Sequence, residues 1–312
     1  MKQVVYNQYG NSDVLKVEHK DRPALKKKNS MLIKVSYSSL NAIDWKNRKG
    51  HFKLFTGLFK PKTKQGFDVV GIIEDKSKDV SEFSIGDQVI GQLGNFDGGA
   101  LSEYLVVNTK EFVKIPKGIQ LNQAAGIPMA GTTAWMALME LGNLKKGDKV
   151  LINGGSSGVG HFAIQIAKAY GAHVTSVSSS KNLTFCSQMG ADNIISYQEE
   201  NFLEKKAQFD IIFDVVFNSS YKKTKHLLGT NGIYIGTTPS KTMVFELLRY
   251  QKAKFVAVQP NKNALQSLIH LMEKNKLKVN IDKEYLLDDI IPAHQYLEKS
   301  RTKGKVIIKI AK

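Results

Sequence analysis

A chain of 312 residues exceeds the roughly 100–200 that one domain commonly uses, and its 42% hydrophobic content is enough to fill two cores. A single cysteine, Cys186, excludes an internal disulfide, a Cys-rich zinc site and an iron–sulfur cluster. The formal charge of +17 invites a polyanionic partner, yet the excess is spread over both halves with no basic block longer than Lys26, Lys27 and Lys28; that pattern fits a solvated lysine-rich surface and no dedicated nucleic-acid site.

The N-terminus enters directly into MKQVVYNQYG, without a signal peptide, and no run reaches the ~18 apolar residues that a membrane span needs. A soluble, cytoplasmic protein with no transmembrane segment is therefore expected. Through residue 118, short alternating strands recur at Met31 to Tyr37, Val69 to Glu74 and Gln88 to Gly91, divided by Gly, Asn and Asp, and predict a β-rich unit. From Leu121 onward helices alternate with strands. Lys149 to Ile152 is a short apolar strand that runs into Asn153, Gly154 and Gly155. Val159, Phe162, Ala163, Ile166, Ala167 and Tyr170 then recur at helical spacing until Gly171 can end the helix, and His173 to Val177 forms the next strand. Cys186 lies in a helical stretch as a buried thiol. Strands at Asp210 to Val216, Gly232 to Gly236 and Lys254 to Val258 continue a parallel sheet. A helix at Asn263 to Asn275, a strand-like piece ending at Leu287, a helix at Ile291 to Lys299 and a strand at Gly304 to Ile310 form a tail expected to return to the first domain. The division predicted is 1–118 completed by 278–312, and 119–277.

The segment Gly155, Ser156, Ser157, Gly158, Val159 and Gly160 matches G-x-G-x-x-G except at Ser157. Small residues there let the backbone approach a pyrophosphate, and the free N–H groups of the following helix stabilise its charge. A Gly/Ser-rich surface turn is the alternative, but the flanking strand, helix and second strand lie where a dinucleotide fold needs them. About 20 residues beyond the glycines, where NAD binders carry Asp or Glu, stand Ser178, Ser179, Ser180 and Lys181. Their hydroxyls and ammonium would take a 2′-phosphate, which points to NADP(H); a solvated polar loop is the alternative. Tyr221 with Lys225 and Tyr250 with Lys254 show Tyr-x-x-x-Lys spacing, but among 11 tyrosines and abundant lysines such pairs arise by chance. The mid-chain glycine turn also argues against a short-chain dehydrogenase.

Taken in order, SLNAIDWKNRKG, GFDVVGIIEDKSKDVSEFSIGDQVIGQ, GGALSEYLVV, AAGIPMAGTTAWMAL, NGGSSGVGHFAIQIAKAYGA and KGKVIIKI resemble the zinc-independent quinone oxidoreductase branch of the medium-chain dehydrogenase/reductase superfamily, over essentially the whole chain. The resemblance is strongest to quinone and enone oxidoreductases of the chloroplast-envelope and fruit ene-one type. It implies an α/β protein: a GroES-like β-rich domain, then a Rossmann domain with a doubly wound parallel sheet, an active site in the cleft, and a homodimer formed through the edge strand Lys254 to Val258. It also implies that Asn41, Asp44 and Lys46 lie beside the nicotinamide ribose, with Lys46 polarising an oxygen, although a solvated surface lysine is the alternative. Thr133, Gly236 and Thr237 would meet the nicotinamide end, and Tyr197 the 2′-phosphate, with a buried or edge tyrosine of no special role as the alternative. Met129 is expected to pack. The zinc enzymes of the superfamily carry Cys where this chain has Ala42 or its neighbour, and His where it has Phe67; no metal is expected.

Without a Lewis acid, the easiest hydride acceptors are quinones and conjugated C=C bonds, because both spread the arriving charge onto oxygen. The expected function is thus an NADPH-dependent reductase of a small apolar quinone or enone, with Trp45, Phe52, Phe55 and Phe59 as candidate pocket walls; packing of the segment His51 to Lys60 against the protein is the equal alternative. The alternative from another class is an NADPH-binding protein that uses its basic surface for nucleic acid or an anionic membrane, with little or no turnover.

Overall fold

The computed structural model describes residues 1–237 and 241–310, the side chains of 241–244 excepted. In chain order the strands are β1 (Lys2–Val5), β2 (Lys16–His19), β3 (Ser30–Leu40), β4 (Asp68–Lys76), β5 (Gln88–Gln92), β6 (Tyr104–Asn108) and β7 (Phe112–Lys114), then β8 (Lys149–Asn153), β9 (His173–Ser178), β10 (Asn193–Ser196), β11 (Phe209–Asp214), β12 (Leu228–Gly236) and β13 (Ala253–Phe255), and finally β14 (Ile281–Leu286) and β15 (Lys305–Lys309). They fall into two compact units: Met1–Met129 with Gln259–Glu273 and Val279–Lys312, and Ala130–Val258 with Lys274–Lys278.

In the first unit a seven-stranded sheet runs β14-β15-β3-β4-β5-β7, with β6 also paired to β3. Met31, Ile33 and Val35 alternate along β3 and are buried with Val69, Ile73, Phe112, Val306 and Ile308 in one apolar core. The tail does return here: β15 lies antiparallel to β3, with Val306 opposite Leu40. On the other side of β3, Tyr37 faces Val70 of β4. These two registers bring Lys305, the end of β3 and Asp68 together.

The unit division falls at Met129/Ala130, later than the 118/119 break suggested by sequence, and Gln259–Glu273 groups with the first unit. Two bonds are consistent with this. Met129 donates its N–H to Asp68 Oδ1 at 2.9 Å, and Lys262, at the start of the helix Lys262–Glu273, pairs with Glu82 at 2.5 Å. The short segment to Lys278 belongs with the second unit through a reciprocal pair of bonds, Gln165 Nε2 to Lys278 O at 3.0 Å and Lys278 N to Gln165 Oε1 at 2.9 Å.

The second unit is a six-stranded parallel sheet ordered β10-β9-β8-β11-β12-β13. The chain winds outward from β8 to β10, returns to the other side of β8, and winds outward again to β13. That reversal is a topological switch point between β8 and β11, where open α/β sheets bind ligands at the carboxyl ends of the strands. Among the described residues no helix is long and apolar enough to cross a membrane.

Candidate functional site

In the first unit, β3 leads into the helix Ala42–Arg48, with Asn41 in extended backbone at its N-cap. The Asp44 carboxylate accepts from Asn41 N at 2.8 Å and from Gly66 N at 2.9 Å. It is wholly buried, and burial pushes its pKa up to about 7 against the pull of those two N–H groups. Asn41 is equally fixed: its Nδ2 donates to Asp68 Oδ2 at 2.8 Å, and its Oδ1 accepts from Lys305 Nζ at 2.5 Å. Asp68 accepts in addition from Ser39 Oγ at 2.5 Å, and Lys305 Nζ donates also to Leu40 O at 3.2 Å. Lys46 is different. It is half-buried, with Nζ 5.7 Å from the Trp45 ring centroid, and no carboxylate pairs with it among the described residues. Burial lowers its pKa. Phe55 and Phe59, by contrast, stand exposed at 72% and 93%.

The second unit holds the glycine turn. Gly154 adopts φ +94°, and both Gly154 and Gly155 donate to Val177 O of β9. A Cβ on Gly155 would lie 1.9 Å from Ser176 Oγ, and one on Gly160 2.1 Å from Gly154 O, so side chains are excluded at both. The Ser157 hydroxyl, in the middle position, accepts Gly160 N at 3.0 Å and so satisfies the first N–H of the helix Gly160–Ala169. Ser156 Oγ accepts from Ser178 Oγ and Asn182 Nδ2, each at 3.0 Å, tying the turn to the serine loop. Among the described residues the N–H groups of Ser156, Gly158 and Val159 have no acceptor. Three free N–H groups in a side-chain-free cradle at a helix start fit a pyrophosphate.

Around the serine loop, Ser178 and Ser179 are buried, while Lys181 is exposed and has no ion-pair partner among the described residues. Tyr197 is half exposed and donates its N–H to Ser178 O at 3.0 Å, so it does lie beside that loop. A carboxylate arrives that spacing from the glycines did not show: Glu199 Oε1 accepts from Ser180 Oγ at 2.6 Å. Tyr197, Glu199, Phe202, Asn218 and Ser219 line a shallow hollow of about 440 Å³. Ser219 Oγ, on a residue of that wall, and Asn182 Oδ1 are buried atoms with no hydrogen-bond partner among the described residues.

The registers align Asn153, Asp214 and Gly236 in one row at the carboxyl ends of β8, β11 and β12. Asp214, fully buried, accepts from Asn153 Nδ2 (2.9 Å), Phe217 N (2.9 Å), Ser219 N (3.0 Å) and Tyr234 OH (2.9 Å), and burial raises its pKa. Thr237 extends the row, its Oγ1 donating to Val215 O at 2.9 Å. Thr133 lies buried on the helix Pro128–Trp135. Asp68, Lys305, Asp214 and Glu199 escape a reading by motif. For the first two a signal existed: an ionisable residue inside the apolar runs GFDVVG and GKVIIKI.

A doubly wound sheet with a side-chain-free glycine turn beside its switch point, carried with a GroES-like β-rich unit, is the architecture of a dinucleotide-dependent oxidoreductase. Comparison with known proteins agrees. A family model described as alcohol dehydrogenase GroES-like domain matches residues 27–117, and one described as zinc-binding dehydrogenase matches 189–308. The 2-methylene-furan-3-one reductase of Solanum lycopersicum is 33% identical over 318 residues, 99% of this chain and 79% of that one. The chloroplastic NADPH-dependent alkenal/one oxidoreductase of Arabidopsis thaliana is 31% identical over 318 residues, with the same coverage of 99% and 79%. The quinone oxidoreductase structure from Coxiella burnetii superposes with a TM-score of 0.91 at 32% identity, covering 100% of this chain and 99% of that one. The chain belongs to the medium-chain dehydrogenase/reductase superfamily, in its quinone oxidoreductase branch.

The zinc in the second family description does not fit these residues. Phe67 is buried and apolar, the Asp68 carboxylate is taken up by Ser39, Asn41 and Met129, and among the described residues no group of three or more His, Cys, Asp and Glu side chains is placed to share a metal ion.

Proposed function

We propose that the chain is a zinc-independent, NADPH-dependent reductase of quinones, or of the C=C bond of α,β-unsaturated ketones and aldehydes. The observation that carries the reading is the cradle: Gly155 and Gly160 exclude side chains, and among the described residues the Ser156, Gly158 and Val159 N–H groups meet no acceptor and Lys181, at the far end of the serine loop, meets no carboxylate. Lys181, Ser178 and Ser179 would bind the 2′-phosphate with Tyr197 alongside, and Thr133, Gly236 and Thr237 would face the nicotinamide end.

Bound NADPH supplies the hydride. The chain's own part is to orient the acceptor and stabilise the charge that reaches its oxygen. Lys46 suits that task, since no carboxylate among the described residues neutralises its ammonium and partial burial strengthens each bond it donates. Asn41 and Asp44 act as positioning residues, one locked by Asp68 and Lys305, the other clamping Asn41 and Gly66. Solvent completes the reduction by giving the proton. The protein is further proposed to be a homodimer joined at β13, the end strand of the second sheet.

The test is to follow NADPH absorbance with purified protein against quinones, enones and enals, with NADH as control. Oxidation by one of these classes is expected, and Lys46→Met should then slow turnover by about a hundredfold. Tight NADPH binding without turnover of any acceptor would overturn the reductase reading in favour of a binding protein.

A further inference from the structure

From Trp45 to Phe67 the chain has no acidic residue but carries Lys46, Arg48, Lys49, Lys53, Lys60, Lys62 and Lys64. Within this stretch the short helix Lys53–Thr56 and the turn after it hold four large apolar side chains in solvent: Leu54 is 80% exposed, Phe55 72%, Leu58 52% and Phe59 93%. Phe96, itself 47% exposed, stacks on Phe55 with ring centroids 5.4 Å apart. The base of this projection is anchored. Tyr9 OH donates to Gly57 O at 2.5 Å, Lys62 N to Thr56 O at 2.7 Å, and Thr63 Oγ1 to Phe96 O at 3.0 Å. The apolar tip is thus displayed on a fixed support. Beside it, Lys53, Lys60, Lys62 and Lys64 are all exposed, and among the described residues none has an ion-pair partner.

We infer that this tip docks on an anionic lipid surface, with Leu54, Phe55, Leu58 and Phe59 entering the headgroup boundary and the four lysines meeting acidic headgroups. Apolar side chains at the end of a basic collar have the chemistry of an interfacial anchor, in which burial and charge attraction add. A second copy of the chain is a poor occupant, because it would bring the same lysines against one another. A nucleic acid would satisfy the lysines but offers no stacking partner to Leu54 and Leu58.

Sedimentation with vesicles of phosphatidylcholine, or of phosphatidylcholine with about a third replaced by phosphatidylserine, tests this; about tenfold more protein should bind the acidic vesicles, and less as salt rises. The pair Leu54→Ser with Phe59→Ser, which leaves the charge unchanged, should lose most of that binding, as should Lys60→Glu with Lys62→Glu. The control pair Lys26→Glu with Lys27→Glu carries the same charge change elsewhere and should keep it. Equal binding to both vesicle types would overturn the inference, as would undiminished binding by the Leu54/Phe59 variant or equal loss in the control. Thermal melts confirm that each variant is folded, and Phe59→Ser alone replaces the apolar pair if that pair melts early. The assay needs neither cofactor nor acceptor, so the reductase reading stands or falls separately.

Discussion

Glu199 changes the meaning of the serine loop at the level of single residues. The segment Ser178 to Lys181 carries no carboxylate, but the end of β10 brings one to Ser180, so the 2′ end of the cofactor would meet one cation and one anion. Cofactor choice then rests on their difference. Lys181→Glu should lower the NADPH over NADH ratio of kcat/KM by about tenfold or more, and Glu199→Gln should raise it; an unchanged ratio in the Lys181 variant would remove that lysine from the site. Asp44 leads to a pH prediction. Its folded pKa, about 7, lies above the ordinary 3.8. Between those values only the unfolded chain has lost the proton, so this group makes stability fall as pH rises. His294, buried and near Arg48, works the other way: its pKa falls from 6.5 to about 3, so over that interval the unfolded chain binds the extra proton and stability falls towards acid. The two oppose each other in mildly acid solution. Asp44→Asn should therefore melt with a steeper loss of midpoint towards acid than the unchanged chain, and parallel curves would show that Asp44 is ionised throughout.

Among the elements, the strand–turn–helix from β8 was the most legible, because its determinants are local: an apolar strand, small residues, then helical periodicity. The serine in place of the middle glycine also has a local reason, since its hydroxyl accepts from Gly160 N. The two outer glycines differ in what a side chain would strike. Gly155→Ala meets the end of a side chain, Ser176 Oγ, whereas Gly160→Ala meets backbone at Gly154. Gly155→Ala should weaken NADPH binding and cost about 1–3 kcal/mol, and Ser176→Ala in the same chain should recover much of both. No comparable partner exists for Gly160→Ala, so a full loss is expected there, read by cofactor titration and denaturant melts. Strand ends were less legible. Side-chain alternation alone ends the strand at Tyr37, but β3 runs to Leu40 because β15 pairs with Ser38 and Ser39, and that partner lies at the other end of the chain.

For the whole molecule, the charge of +17 fits a solvated surface, but part of it lies in the acid-free stretch from Trp45 to Phe67, where the fold sets four exposed apolar side chains beside it. The end strand of the second sheet is the other large-scale feature. Among the described residues β13 pairs with one strand, β12, and the helix Lys241–Arg249 exposes Phe245 (58%) and Leu248 (85%). If the proposed homodimer forms there, light scattering should give twice the chain mass, and Leu248→Glu should shift it towards one; a single-chain mass without substitution would dismiss the dimer. The sequence by itself determined the strand, glycine turn and helix that open the second sheet and the contrast between a β-rich first part and an alternating second part, because each depends on residues within a few turns of one another. Only the tertiary structure decided the polar clusters on which the site depends. Asn41 meets Asp68 across 27 positions and Lys305 across 264, and Asp214 meets Asn153 across 61. Those meetings are set by the register between strands, which side-chain periodicity within one strand does not specify.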